Sequence, residues 1–521
     1  MSRTRKAVIV AGFTYAQFGL AMMSGLVLIP FILSALGQRS YGLWLATSEL
    51  IAYAGMLDFG VVAMLPWLIA QADGRRDVSE IRAILCRAAT VAALAGVCVT
   101  LAAMVAWSFM PAALHLTKAE VDGLSGPVLV VVAAMAVTYP LRVFSAALVG
   151  LQDIVFTGCL GVSQTILTVG LTVWLLADGH GLYAVSIAAA VPPAVCGVAS
   201  LVRLKTLKPE AMRGWHRPEM QGLRWIVLEG TSTWVAGLGS TMAAATSGLV
   251  ITVLGHPEWV VVYACTAKLA QLLGQLARVV PDSGLVGLAQ IDGEGSKDRV
   301  RSAVGTILRL HLLLAGAAAA AVLLLNPVFV PLWVGSKFFG GLALNVAIAA
   351  ALLFVSLTHG LVCCAAVLGR RRAIGAITLA YGLLTVALSI GLGAVFGLPG
   401  VAAAPIASGA LTTLPAGMLL LPRVASLPWR WLRDELCVPW TTRLAPFLIV
   451  LLGVQASIGR LTADIVATLT FGAVAATLYV WWMRPLYVEL PFHPSVRGWL
   501  GRLKLTMPAP ADPAREMKPW A

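Results

Sequence analysis

The feature that most constrains this chain is a series of long apolar runs, separated by short clusters of charge. Each run reaches or exceeds the roughly 20 residues that a helix needs to cross the hydrocarbon core of a bilayer. In lipid only helices and closed barrels satisfy the backbone, and these runs are continuous rather than alternating, which favours helices. Charged residues make up only 12% of the chain, about half the share of a typical soluble domain. The sequence therefore predicts an all-α polytopic membrane protein.

Fourteen transmembrane helices are predicted, with charged or turn-forming residues between them. The first run is too long for a removable signal peptide and is taken as the first span. The predicted spans are 7–36, 41–72, 88–110, 127–149, 154–177, 182–202, 223–254, 258–288, 303–328, 342–368, 373–396, 400–421, 444–459 and 462–483.

The basic residues lie overwhelmingly on one side of the membrane if the N-terminus is cytoplasmic. Most of the 37 Lys and Arg residues lie in the inside loops or near the inside ends of spans, and the outside loops hold only Arg39, Lys118, Lys337 and Arg460. The positive-inside rule then predicts that both termini are cytoplasmic. The net charge of +14 reflects this asymmetry, so anionic membrane lipids, and not nucleic acid, are the expected partners.

The two halves of the chain repeat the same landmarks. Leu-Gly pairs end the first and seventh spans at Gly37 and Gly255, and similar pentapeptides end the fourth and tenth spans at Gly150 and Gly369. The offsets are 218 and 219 residues. Because the repeating unit has six helices, an even number, both copies have the same orientation.

The predicted organisation is therefore two parallel six-helix repeats around a central cavity, plus two extra C-terminal helices. A basic linker joins the two bundles, and a tail that is partly disordered follows the last helix. The predicted segments are the first bundle 1–202, the linker 203–222, the second bundle 223–421, a cytoplasmic loop 422–443, the additional helices 444–483 and the cytoplasmic tail 484–521.

Polar residues inside the eighth span follow one face of a helix. Their spacing of 3, 4, 3 and 4 residues places them within an arc of roughly 80°. We call this set the polar stripe: Lys268, Gln271, Gln275, Arg278 and Asp282. It either lines a wet cavity or fixes helix packing through pairs such as Arg278 with Asp282.

Further ionisable residues lie in other spans, where each is costly and usually faces a cavity or a partner. Glu49 and Asp58 point to opposite faces of a straight second helix, and Glu229 lies near the cytoplasmic end of the seventh. Arg142 could face the cavity or pair with Asp58, and His359 is expected to be a hydrogen-bonded packing residue. The eight cysteines form no spaced metal pair and no expected disulfide.

The stretch LGQRSYGLW at Leu36–Trp44, followed by Leu57-Asp58-Phe59-Gly60, resembles the start of bacterial polysaccharide flippases. These are the Wzx-type O-antigen and exopolysaccharide transporters of the multidrug/oligosaccharidyl-lipid/polysaccharide (MOP) flippase superfamily. Val262-Tyr263 with Lys268, and the end of the tenth span at Gly369, look like the family's equivalent segments. The resemblance covers the layout of the first twelve helices.

The resemblance implies a transporter that moves a polyprenyl-pyrophosphate-linked oligosaccharide from the cytoplasmic to the periplasmic leaflet of the bacterial inner membrane, for polysaccharide biosynthesis. Polysaccharide polymerases and assembly proteins are candidate partners. An anionic pyrophosphate favours cationic and hydrogen-bonding side chains. The predicted substrate-binding residues are Arg142, Lys268, Gln271, Gln275 and Arg278.

Acids within a membrane can exchange protons or bind Na⁺, which couples transport to an ion gradient. The predicted coupling or gating residues are Glu49, Asp58, Glu229 and Asp282. No metal site is expected, and no cofactor besides a coupling H⁺ or Na⁺.

Two other functions fit the same composition. A drug or cation exporter of the same superfamily would have the same layout but a more apolar and acidic cavity. A membrane-embedded oligosaccharide polymerase or ligase would need a larger periplasmic loop than the short outside connections here, and no nucleophile–base pair or phosphate loop appears. The chain is therefore expected not to be an enzyme.

Overall fold

The computed structural model describes most of the chain, from the first predicted span to the last. Asp58 and Arg460 lie outside the described residues. The described residues are 3–54, 60–114, 116–215, 219–293, 296–425, 427–457 and 465–487.

Helices account for nearly all of this structure. The first half contains α1 Arg3–Leu36, α2 Gln38–Ala54, α3 Val61–Gly74, α4 Val78–Ala113, α5 Lys118–Gly150, α6 Ile154–Ala177, α7 Leu182–Leu207, α8 Pro209–Met212, α9 Met220–Ala244 and α10 Ser247–Val253. The second half contains α11 Pro257–Gly293, α12 Lys297–Val334, α13 Gly341–Ala365, α14 Arg371–Phe396, α15 Leu398–Leu411, α16 Thr413–Val424, α17 Trp429–Trp431, α18 Val438–Ser457, α19 Ile465–Trp482 and α20 Arg484–Tyr487.

These helices confirm the predicted all-α polytopic membrane class. Within the described residues, 11 helices are long and apolar enough to cross a membrane, or up to 12 if one bent pair counts as a span. The two predicted spans beyond that number also coincide with helices: 41–72 with α2 and α3, and 462–483 with α19. Each of the fourteen predicted spans therefore overlaps a helix or a pair of helices.

Local sequence signals explain where the helices begin and bend. Thr117 and Glu120 form a capping box at the start of α5, in which each side chain satisfies the other residue's backbone N–H. Asp77 accepts a hydrogen bond from the Glu80 N–H at the start of α4. The helices also contain internal prolines, such as Pro111 in α4, which weaken the local hydrogen-bond ladder.

The chain divides into two compact units. The first comprises Met1–Ala264 and Gly375–Ala404, and the second comprises Cys265–Ile374 and Pro405–Ala521. The predicted bundle limits at 202 and 223, and the internal repeat, stay predictions.

Each unit has its own apolar core. In the first unit, buried residues of α3, α4 and α5, such as Leu65, Leu85 and Leu148, pack together. In the second, α12 lies at the centre, and the buried indole N–H of Trp440 donates to the Leu312 carbonyl at 3.0 Å. In lipid, the close packing of these side chains and hydrogen bonds between helices hold each unit together.

Large apolar side chains also cover the outward surface of the long helices. On α4 alone, Leu94, Leu101, Val105 and Phe109 are exposed. A water-soluble protein rarely exposes an apolar surface of this extent. On a membrane-spanning helix it is the surface that faces lipid.

A reciprocal glycine contact brings α9 and α14 together in the first unit. A Cβ on Gly239 would meet the Thr378 backbone, and a Cβ on Gly382 would meet the Gly239 backbone. Small residues at a crossing let two helix backbones approach closely, which is how membrane helices gain packing energy without a hydrophobic driving force.

Candidate functional site

The polar stripe lies on α11, which runs unbroken from Pro257 to Gly293. Gln271, Gln275 and Arg278 are exposed, and Lys268 is partly buried. Asp282 is the last residue of the stripe and is also exposed. The stripe is therefore accessible to a ligand, although its role in binding stays a prediction.

Asp282 pairs with a histidine on another helix and not with Arg278. Its Oδ1 atom lies 3.3 Å from Nε2 of His359 on α13. Within the described residues, the i,i+4 ion pair between Arg278 and Asp282 that the sequence suggested does not form. The Asp282 side chain is 56% exposed and that of His359 is 27% exposed, so the pair lies at the edge of the packed protein.

A thiol completes this group. Cys363 lies one turn after His359 on α13, and its Sγ atom is 3.5 Å from the same Nε2 atom. Residues four apart lie on the same face of a helix. We call Asp282, His359 and Cys363 the Asp–His–Cys cluster.

A second histidine, His311 on α12, lies next to His359. Its ring centroid is 6.1 Å from that of His359, and the side chain is fully buried. Nδ1 lies 2.8 Å from the Ala277 carbonyl oxygen and Nε2 lies 2.8 Å from that of Ser356. Because a carbonyl oxygen only accepts, both contacts are hydrogen bonds only when both ring nitrogens carry a hydrogen.

Three helices of the second unit thus bring titratable groups together. Arg278 lies one turn before Asp282 on α11. The sequence prediction included Arg278 and Asp282 but did not include His311 or Cys363 as functional residues. The four-residue spacing of His359 and Cys363 was the available signal for the thiol.

Glu49 has a different environment, in the first unit. The chain bends by 52° between α9 and α10, which exposes backbone N–H groups at the start of α10. The Glu49 carboxylate accepts the Gly248 N–H at 3.0 Å and the Leu249 N–H at 2.7 Å. Such N–H groups have no partner within their own helix, and a carboxylate is a favourable acceptor for them. Glu49 therefore stabilises a broken helix.

The bend is closely packed around this carboxylate. A Cβ on Gly248 would lie only 2.9 Å from Glu49 Oε1. The Ser247 hydroxyl donates to the Tyr263 hydroxyl at 3.4 Å. Glycine at position 248 therefore leaves room for the close approach of the carboxylate, and a larger residue would have to displace it.

Arg142 lies on α5 and is exposed, and its guanidinium lies 5.3 Å from the centre of the Tyr139 ring. Its predicted partner Asp58 lies outside the described residues, and so does the side chain of Glu229. The roles predicted for these three residues stay predictions.

An ion cluster at helix ends, not predicted from the sequence, also lies in the first unit. Arg39 Nε lies 2.5 Å from Glu120 Oε1, and Arg39 Nη1 lies 2.6 Å from Glu258 Oε1. Gln38 Nε2 donates to the Glu258 carbonyl at 2.9 Å. We call Arg39, Glu120 and Glu258 the Arg39 clasp. The hydrogen bond to Glu120 is the largest of several effects that raise the pKa of the Arg39 guanidinium above its ordinary value, so it stays charged.

No protein-family model and no curated protein matches this sequence. Solved structures, however, share its fold. The lipid II flippase MurJ in an inward closed conformation aligns with a TM-score of 0.62 and 11% identity, over 90% of this chain and 98% of that one.

Two other solved structures align with the chain almost as well. A MOP superfamily transporter from Pyrococcus furiosus, described as having a binding pocket of reverse polarity, gives a TM-score of 0.61 and 15% identity over 81% of this chain and 96% of that one. An inward-facing multidrug resistance MATE family transporter of the MOP superfamily gives 0.55 and 15% over 79% and 94%.

At such low identity these alignments establish the fold alone. The chain has the multi-pass membrane fold of MATE transporters and of MurJ, in agreement with the MOP superfamily resemblance of its sequence. The Wzx type, the inner membrane and the orientation of the termini stay predictions.

Proposed function

We propose that this chain moves a polyprenyl-pyrophosphate-linked oligosaccharide from the cytoplasmic to the periplasmic leaflet of the bacterial inner membrane by alternating access. The observation that carries the proposal is the polar stripe, a mostly exposed row of cationic and amide side chains on a helix long enough to span the membrane. A structure with the same fold is that of a lipid II flippase, which makes a lipid-linked substrate a natural choice.

The chemistry of the stripe suits an anionic headgroup. Arg278 presents a planar fork that matches two phosphate oxygens, and Lys268 adds a compact positive charge. Ten residues separate these cations on the helix, a rise of about 15 Å. The amides of Gln271 and Gln275 lie between them, where they can donate to and accept from sugar hydroxyls.

Ion coupling is assigned to the acids. Asp282 lies next to two histidines and one turn after Arg278. A bound pyrophosphate would attract the Arg278 guanidinium. This would change the affinity of the Asp282 carboxylate for a proton or Na⁺. Asp58, Glu229 and Glu49 are retained as further candidates for coupling or gating, and Glu49 would act there through the bend that it stabilises.

A drug or cation exporter is the second candidate, because MATE transporters share the fold and Asp282 is exposed. A cationic drug would bind Asp282 and be repelled by Arg278 and Lys268. An anionic substrate would use these charges in the opposite way. The two cations of the stripe therefore favour the flippase.

The test is a flipping assay with lipid-linked oligosaccharide in vesicles that contain the purified protein. We expect Arg278→Ala to reduce the rate by roughly 10- to 100-fold, the effect of losing a hydrogen bond to a charged group worth about 1.5–3 kcal/mol. Arg278→Lys should restore part of the rate because it keeps the charge without the fork.

Arg372→Ala is the matched control, because Arg372 is an exposed arginine at the start of α14 on the predicted cytoplasmic side. It should leave the rate unchanged. If the Lys268→Ala/Arg278→Ala double variant flips the lipid at the wild-type rate, the stripe does not bind the substrate. If deletion of the gene raises drug sensitivity without accumulation of lipid-linked glycan inside the cell, the exporter replaces the flippase.

A further inference from the structure

The Asp–His–Cys cluster contains three side chains of the types that bind transition metals. An imidazole nitrogen, a carboxylate oxygen and a thiol sulfur converge from α11 and α13, with all three ligand atoms within 4.8 Å of one another. Two of the ligands, His359 and Cys363, are four residues apart on a single helix, so they are presented together. The third, Asp282, comes from a different helix.

Two of the three distances in the cluster match the edges of a zinc tetrahedron, and the third, from Asp282 to the Cys363 sulfur, is within 4.8 Å. With Zn–N and Zn–O bonds of about 2.0 Å, a tetrahedral angle places the two atoms about 3.3 Å apart, and with a Zn–S bond of about 2.3 Å the N···S edge is about 3.5 Å. The observed separations from His359 Nε2 are 3.3 Å to Asp282 Oδ1 and 3.5 Å to Cys363 Sγ. The same nitrogen is the common vertex of both edges.

We propose that Asp282, His359 and Cys363 form a three-ligand site for Zn²⁺, with the fourth position open to water or to an oxygen ligand. On binding, the Cys363 thiol releases its proton to solvent and the sulfur binds as thiolate. A neutral imidazole, a carboxylate and a thiolate together carry two negative charges, which the metal neutralises. A neutral assembly costs less within the membrane than separate charges.

The choice of metal follows from the ligands. Hard cations such as Mg²⁺ and Ca²⁺ prefer oxygen, whereas a mixed set of nitrogen, sulfur and oxygen in tetrahedral geometry favours Zn²⁺. Three protein ligands with one open position are the arrangement of reactive and exchangeable zinc sites, whereas purely structural sites are closed by four. The exposure of Asp282 gives a metal ion access from outside the packed helices.

Two neighbouring groups affect the affinity. Arg278, one turn before Asp282 on α11, repels a cation. His311 faces the site from α12, 6.1 Å away between ring centroids, and repels the metal only when its ring is protonated. We therefore expect zinc binding to strengthen as the pH rises, because protons compete for the Cys363 sulfur and the His359 nitrogen.

The test uses the full-length protein without a histidine tag, purified in detergent and freed of metal. After equilibration with Zn²⁺ and a competing chelator, elemental analysis should find one zinc per chain. Replacement by Co²⁺ should give the near-ultraviolet thiolate-to-metal band and the intense visible bands of a four-coordinate site.

Cys363→Ser and His359→Gln should each lower the zinc affinity by about 100-fold or more, since loss of a direct ligand costs at least as much as loss of an outer-shell partner. Cys363→Ser should also abolish the Co²⁺ thiolate band. Cys364→Ala is the matched control: this buried thiol is the next residue in the chain but is not part of the cluster. It should keep both the affinity and the spectrum.

Two results would overturn the proposal. One is wild-type protein that retains no zinc against the chelator, which would mean that the three side chains only form hydrogen bonds. The other is unchanged zinc affinity in Cys363→Ser. The thermal unfolding of each metal-free variant reports whether it is folded. Because binding is measured directly, the outcome does not depend on the substrate proposed above.

Discussion

Two carboxylates in predicted membrane-spanning segments, Glu49 and Asp282, have opposite kinds of partner. Glu49 accepts two backbone N–H groups at the bend before α10. Among the partners that the structure describes, Asp282 contacts the side chain of His359, which can itself gain or lose a proton. A carboxylate bound to backbone amides holds a conformation, whereas a carboxylate among titratable side chains can respond to ions and ligands.

The comparison separates two roles that the sequence could not distinguish. Both acids were predicted to couple or gate, because an ionisable residue within a span is costly wherever it lies. In the structure each carboxylate has its own set of partners. These partners determine whether removal of the carboxylate should change stability or transport.

The largest effect should come from Glu49. Glu49→Ala leaves the Gly248 and Leu249 N–H groups without their acceptor and should reduce the free energy of unfolding by about 2–3 kcal/mol, since a lost hydrogen bond to a charged group costs about 1.5–3 kcal/mol. Thermal unfolding in detergent and the amount of protein in the membrane measure this loss.

Glu49→Gln is the informative partner of this variant. It keeps one acceptor oxygen and should recover part of the stability. Gly248→Ala should destabilise without any change of charge, because its Cβ would approach Glu49 Oε1. A Glu49→Gln protein with wild-type stability but altered dependence on the ion gradient would show that Glu49 couples, and the contrast with Asp282 would then fail.

Replacement of Asp282 should affect transport more than stability, the reverse of what we expect for Glu49. Asp282→Asn should leave the unfolding temperature nearly unchanged, because substitutions of exposed side chains are usually within 0.5 kcal/mol. Transport and its dependence on the gradient should fall by about tenfold if the carboxylate carries the coupling ion. Flipping or uptake assays with and without an imposed H⁺ or Na⁺ gradient measure both quantities.

A control for Asp282 lies elsewhere in the same unit. Asp298→Asn removes an exposed acid from the first turn of α12 and should change neither transport nor the gradient dependence. The opposite outcome is an Asp282→Asn protein that is less stable but whose folded fraction transports normally. In that case the pair of Asp282 with His359 only holds α11 against α13.

Much of the fold follows from the sequence, because the bilayer limits the possible structures so strongly. Continuous apolar runs of sufficient length must be helices, and each predicted span coincides with a helix or helix pair. The 52° bend between α9 and α10 was not predicted, although the Ser247-Gly248 pair beside it is a local signal of a kink. The bend depends on a carboxylate about 200 residues earlier in the chain, which no local pattern reveals.

Prediction of the candidate site from the sequence has the same limit, because long-range contacts leave no local pattern. The polar stripe could be predicted because helical spacing alone places its residues on one face. The pairing of Asp282 with His359 could not, because it joins two helices 77 residues apart in sequence. His359 was predicted to be a hydrogen-bonded packing residue, and the structure does give it hydrogen-bonding partners, which are an exposed acid and a thiol.

The smallest effect should come from the Arg39 clasp, which adds a third environment to the comparison. Here two carboxylates, Glu120 and Glu258, meet a cation at exposed helix ends, so water screens their attraction. An exposed ion pair contributes about 0.2–1 kcal/mol, and Arg39→Ala should therefore lower the unfolding temperature only slightly. Arg39→Lys keeps one charge but not the fork that reaches both acids, so its effect should be smaller still.

The clasp also tests whether small contacts matter for the transport cycle. It joins the ends of α2, α5 and α11, so its loss should favour conformations in which these ends separate. A contribution of about 1 kcal/mol changes such an equilibrium roughly fivefold, which distance measurements between spin labels near residues 39 and 258 would detect. A Glu258→Gln variant should give about half of this change. If Arg39→Ala shifts neither the distances nor the transport rate, the clasp is a surface contact, and the three environments reduce to the two represented by Glu49 and Asp282.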